Sequence, residues 1–152
     1  MNEFGGVDIN LPEEYREYFH AYCLTRSDGT RNNPEGSPFP RMVDMWFLAV
    51  CIAAKEGLSP DFDRNGKTYK AIEGAVFGSD PWRSNALMLL AIAHTGDAAV
   101  ASDPHEMMRV ANAYALAGLP RLIGILNERG EEAALDYLSD FVEVACRSRA
   151  SR

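Results

Sequence analysis

The stretch from Pro38 to Leu58 constrains the fold more than any other. It reads Pro-Phe-Pro-Arg-Met-Val-Asp-Met-Trp-Phe-Leu-Ala-Val-Cys-Ile-Ala-Ala-Lys-Glu-Gly-Leu, and between Arg41 and the Lys55-Glu56 pair its one charge is Asp44. The pattern predicts a helix over about Pro40 to Glu56, closed by Gly57 as a left-handed C-cap. A helix apolar on nearly every side belongs in the interior. Its apolar span, Met42 to Ala54, is about 13 residues, short of the roughly 20 that a membrane-spanning helix needs. Asp44 is the residue in it that packing does not explain, because an unpaired buried carboxylate is costly. It is expected either to join a buried polar or binding network, or to pair with Arg41 one turn earlier or lie at a solvent-facing edge.

Four further helices follow from start and stop signals. Asn10-Leu11-Pro12-Glu13 has a capping residue, a first-turn proline and a glutamate three positions on, which predicts a helix from about Leu11 to Leu24. Tyr15, Tyr18, Phe19 and Tyr22 share one face of it. Residues 26–39 read as a polar loop, and 1–9 and 148–152 as flexible tails. Asp80-Pro81 opens a helix through about His94, whose run Leu87-Met88-Leu89-Leu90 suggests a second central helix. Trp82 is expected to close its N-terminus over the core, or else to form a recognition pair with Arg83. Asp103-Pro104-His105-Glu106 caps a helix over about Pro104 to Asn127, which Gly118-Leu119-Pro120 should break or kink. The last helix runs from about Glu131 to Arg147 with an acidic outer face. Thr68 to Ile72 is compatible with a short extended element. The fold class expected is therefore mainly α, one domain with about five helices in a compact irregular bundle.

The chain has 152 residues, 47% hydrophobic and 24% charged, with a net charge of -7. That size supports a core without staples. An acidic chain repels phosphate backbones, so direct nucleic-acid binding is disfavoured. Its densest basic run is Arg147, Arg149 and Arg152. Cys23, Cys51 and Cys146 have no CxxC spacing and read as buried thiols in a reducing compartment. Met-Asn-Glu-Phe-Gly-Gly at the start has neither a basic region nor an apolar run, so no signal peptide and a cytoplasmic location are expected.

Motifs for chemistry are weak. Asp61-Phe62-Asp63-Arg64-Asn65-Gly66 matches the opening of a calcium loop through Asp61, Asp63 and Asn65, but the twelfth position is Ile72 where a bidentate glutamate is needed. It reads as a polar surface turn. His20 and Cys23 share a helical face, yet zinc needs three or four converging ligands. There is no nucleophile elbow and no glycine-rich phosphate loop. No catalytic residue, cofactor or metal is assigned.

Three elements together resemble the dnd system-associated protein 4 family, whose members are encoded beside DNA phosphorothioation genes. They are Pro38-Phe39-x-x-Met42-x-Asp44-x-x-Phe47-x-Ala49, then Leu89-Leu90-Ala91-Ile92-Ala93, and later Tyr114-Ala115-x-x-Gly118-Leu119 with Leu122. The resemblance covers about residues 38–126. It implies an accessory component of a bacterial anti-phage system that acts through protein partners, a larger ATPase or nuclease among them. The expected function is thus a non-enzymatic adaptor. Its interface would be the aromatic face of the first helix (Tyr15, Tyr18, Tyr22) or the acidic face of the last (Glu131, Glu132, Asp136, Asp140). A small helical DNA-binding regulator is the main alternative, and a hydrolase or metal-dependent enzyme without a local signature is a third.

Overall fold

Helix α2 (Met42–Glu56) lies against α4 (Pro104–Asn127), and this pair forms the centre of the molecule. The computed structural model describes residues 2–24, 32–33 and 36–150, with 148–150 described as backbone alone. Among them are three further α-helices, α1 (Arg16–Tyr22), α3 (Pro81–Thr95) and α5 (Ala134–Ala150). Three 3-10 turns and an antiparallel ribbon of β1 (Ile9–Pro12) and β2 (Thr68–Ile72) complete a mainly helical fold.

The α2–α4 contact is built around a missing side chain. A Cβ on Gly118 would overlap the carbonyl of Ala49, so only glycine lets the two backbones approach this closely. Leu119, Leu122, Ile125 and Leu126 follow on α4, all buried. The expected break at Pro120 does not occur. Helix α4 continues through it, with Pro120 on the solvent side. Packing of the residues before and after Pro120 on the core outweighs the one backbone donor it removes. The α4 boundaries are those its caps predict, with the Asp103 carboxylate accepting from the Glu106 N–H at 3.2 Å.

The N-terminal region departs from expectation twice. The helix predicted from Leu11 begins only at Arg16, after a 3-10 turn over Glu13–Tyr15. Ile9 and Leu11 are buried and Asn10 is exposed, a period of two, and the segment pairs with β2 in the register Ile9 with Ile72 and Leu11 with Tyr69. Ladder pairing and burial of two apolar side chains outweigh the local capping signal. Residues 2–9 are not a loose tail. Phe4 is buried with its ring 5.3 Å from that of Phe77, and Asn2 donates to the Gly74 carbonyl at 3.0 Å. Gly74 has no room for a Cβ, which would meet the carbonyls of Phe4 and Val7.

A polar relay ties the ribbon to the centre. The indole N–H of buried Trp46 donates to Asn112 Oδ1 at 3.0 Å, and Asn112 Nδ2 donates to the Asn10 carbonyl at 3.0 Å. Helix α3 proves one-sided rather than central. Leu87 and Ala91 face the core, but Leu89 is 67% exposed. Most of the polar loop expected at 26–39 lies outside the described residues, as do residues 151 and 152 of the expected C-terminal tail. Residues 148–150 continue α5. No described helix is long and apolar enough to cross a membrane.

Candidate protein-docking surface

Asp44 sits at the third position of α2 and accepts a hydrogen bond from the Arg41 backbone N–H at 2.9 Å. Its other oxygen meets Arg83 Nη2 at 2.9 Å and Arg41 Nη2 at 3.5 Å. Asp80, which precedes α3, receives Arg41 at 2.8 Å and Arg83 at 3.3 Å. Two arginines and two aspartates therefore alternate across the N-termini of α2 and α3, where helix dipoles also favour the carboxylates. The hydrogen bond from Arg41 holds the Asp80 carboxyl below its usual range. The charges balance within the cluster, which locks two helices together.

The sequence expectation for Trp82 and Arg83 is inverted. Arg83 is buried, and Trp82 is 56% exposed. The Arg83 guanidinium stacks 4.7 Å from the Trp82 ring centre and 5.1 Å from that of Phe47, while the two rings meet edge to face at 5.4 Å. Paired charges and stacking compensate the desolvation of Arg83. Trp82 is left as a fixed aromatic plate on the surface.

A second surface feature lies between α2 and α5. Leu48, Cys51 and Ile52 of α2 face Phe141, Val142 and Cys146 of α5 across an open groove of about 340 Å³. Cys51 and Cys146 are thus surface thiols, contrary to the expectation that all three cysteines are buried. Burial against the groove walls still pushes the Cys51 thiol up. Cys23 alone is enclosed, and burial, with the nearby Asp44 charge, pushes it up to about 12. Beside the groove Glu56 pairs with Arg121 at 2.9 Å, and Arg121 lies over the Phe141 ring.

Helix α5 presents three stripes. Ala134, Leu138, Phe141 and Ala145 pack inward. Leu135, Val142 and Cys146, spaced i, i+7 and i+11, form an exposed apolar stripe, with Leu135 39% and Val142 37% exposed. Asp136, Asp140, Glu143 and Arg147 make the charged stripe, with Arg147 paired to Glu143. Glu131 and Glu132 are exposed in the turn before α5, which starts at Ala134 rather than at Glu131.

The aromatic face of the first helix is mostly interior. Tyr15 is buried beneath the Arg64 guanidinium, which lies 5.1 Å from its ring centre. Tyr22 is half-buried, its hydroxyl accepting from Arg129 at 3.3 Å. Tyr18 reaches solvent. Tyr15 is therefore corrected from interface to packing residue, because the 3-10 turn before α1 sets it against the core, while half-buried Tyr22 packs on the core edge. In the calcium-like loop, the Asp61 carboxylate accepts from the Asp63 N–H at 3.2 Å and lies 3.8 Å from Arg64. Asp63 and Asn65 are exposed, and Ile72 is buried in β2 opposite Ile9. The chain leaves along a strand instead of wrapping an ion. Among the described residues no three His, Cys, Asp or Glu side chains converge as a metal site.

Sequence reasoning missed the α2–α5 groove and the exposure of Trp82. The i, i+7, i+11 stripe was legible in α5, but whether another element covers it was not. No protein-family profile matches the chain, and no curated protein or solved structure is significantly similar to it.

Proposed function

We propose that this chain is a non-enzymatic accessory protein that works by docking on a larger protein, with the α2–α5 groove as the acceptor. The observation that carries the reading is the apolar stripe of α5 lying open beside an apolar stripe of α2. Two helices that present apolar flanks across an open groove can seat the apolar side chains of a third. Charge selects the occupant. On the α5 side Glu131, Glu132, Asp136, Asp140 and Glu143 border the stripe against Arg147, while on the α2 side Lys55, Glu56 and the Glu56-paired Arg121 balance to a single positive charge. An amphipathic helix with basic flanks on the partner complements that field. The same acidity opposes the alternative of a DNA-binding regulator.

Context comes from the resemblance alone. It supports a cytoplasmic component of a bacterial phosphorothioation-linked defence system, with an ATPase or nuclease as the partner. The test is quantitative co-purification of the native-host partner with wild type, Val142→Lys, and the charge reversal of Glu131, Glu132, Asp136 and Asp140 to Lys. Both variants are expected to lose the partner while keeping wild-type helicity. Retention of the partner by both contradicts the reading.

A further inference from the structure

The outer face of α3 takes part in neither the core nor the groove. Trp82, Ala86, Leu89 and Ala93 recur at i, i+4, i+7 and i+11, which places them on one stripe of the helix. Trp82 and Leu89 are the large members, 56% and 67% exposed, and half-buried Ala86 and exposed Ala93 are the small ones. The surroundings are unusual for this chain. Between Gly74 and Ser102 the formal charges are Asp80, Arg83 and Asp97, and the first two belong to the balanced cluster with Arg41 and Asp44. The 3-10 turns that flank α3, Gly74–Ser79 and Ala98–Ser102, carry none.

We infer that this face is the interface of a homodimer, in which α3 packs antiparallel against α3 of a second copy. Two observations select a second copy over another partner. A two-fold axis sets each surface against itself, so a chain of net charge -7 self-associates with least repulsion through a face whose charges are balanced in ion pairs. The stripe is also self-complementary. An axis between Ala86 and Leu89 sets Trp82 against the other copy's Ala93 and Leu89 against its Ala86, large against small at all four contacts. Trp82 is held in place before association by the edge of Phe47 and the Arg83 guanidinium, so little side-chain freedom is lost when it docks. Buried aromatic anchors of this kind dominate interface energetics.

Sedimentation velocity of the full chain over a range of concentrations tests the inference, with Leu89→Glu and the double variant Leu89→Glu/Ala86→Lys. The wild type is expected to reach the mass of two chains, Leu89→Glu to remain a monomer with an unchanged circular dichroism spectrum, and the double variant to recover the dimer. Recovery is specific to the proposed register, because only there does residue 86 of one copy meet residue 89 of the other. Raising salt should leave the wild-type dimer intact or strengthen it, since like-charge repulsion is screened. Trp82 fluorescence should shift to the blue with concentration, against the constant signal of buried Trp46. A wild type that stays monomeric at every concentration overturns the inference. So does a dimer that Leu89→Glu leaves in place, or one that the double variant fails to restore.

Discussion

Helix α2 meets two neighbours in opposite ways. Toward α4 it is in backbone contact, with Gly118 under Ala49, and the facing residues are buried along the length of the interface. Toward α5 it shows Leu48 and Cys51 across an open groove, and α5 itself buries Ala134 and Leu138 and leaves Leu135, Val142 and Val144 exposed. Both sides of α2 are apolar, so composition does not distinguish them. What distinguishes them is whether the opposing helix spends its own apolar stripe on the contact. Helix α4 does. Helix α5 turns a second stripe outward, and the proposed docking role rests on that difference.

The comparison breaks most sharply at Gly118. Gly118→Ala forces the α2 and α4 backbones apart and is expected to cost about 3 kcal/mol or more in urea unfolding. A smaller loss follows from Arg83→Leu, which leaves the Asp44 and Asp80 carboxylates to Arg41 alone. With both carboxylates partly exposed and still paired to Arg41, the expected cost is about 2 kcal/mol. Trp46→Phe removes one ring of the fully buried indole and leaves Asn112 Oδ1 without its donor, for about 1–2 kcal/mol.

The arginine cluster also has a pH signature. Asp80 is held below its ordinary carboxylate pKa in the folded state, so its contribution is present above an unfolded pKa of about 3.9 and is lost as pH falls through the lower folded value. The urea midpoint of the wild type is expected to decline on the acid side of about pH 4, and Asp80→Asn to flatten that decline. A limb of unchanged steepness in the variant would remove Asp80 from the network. Alkylation separates the groove from the core without altering stability. In the native protein Cys51 and Cys146 should react with iodoacetamide, and Cys23 only after unfolding.

How much of this was legible in the chain depends on the range of the interaction concerned. Helix α4 could be read almost to the residue, because Asp103-Pro104 caps it locally and its apolar drift is long. The burial of most of α2 was also visible, and so was the need of Asp44 for a partner. The partner itself was only half visible, since Arg41 lies one turn away and Arg83 is brought in from another helix. Strand β1 was misread for the same reason. Asn10, Pro12 and Glu13 form a local helix signal, while the ladder that overrules it is made with residues 68–72. At Trp82 and Arg83 hydrophobicity pointed the wrong way, because the burial of an arginine is decided by the carboxylates around it.

The central claim is that the outward stripe of α5 serves binding and not the fold. Its most direct test is the unfolding free energy of the Leu135→Lys/Val142→Lys double variant. The account predicts a value within about 0.5 kcal/mol of the wild type, as for exposed positions away from the core. A loss approaching that of Gly118→Ala would show that the groove is closed in solution and that the stripe belongs to the core.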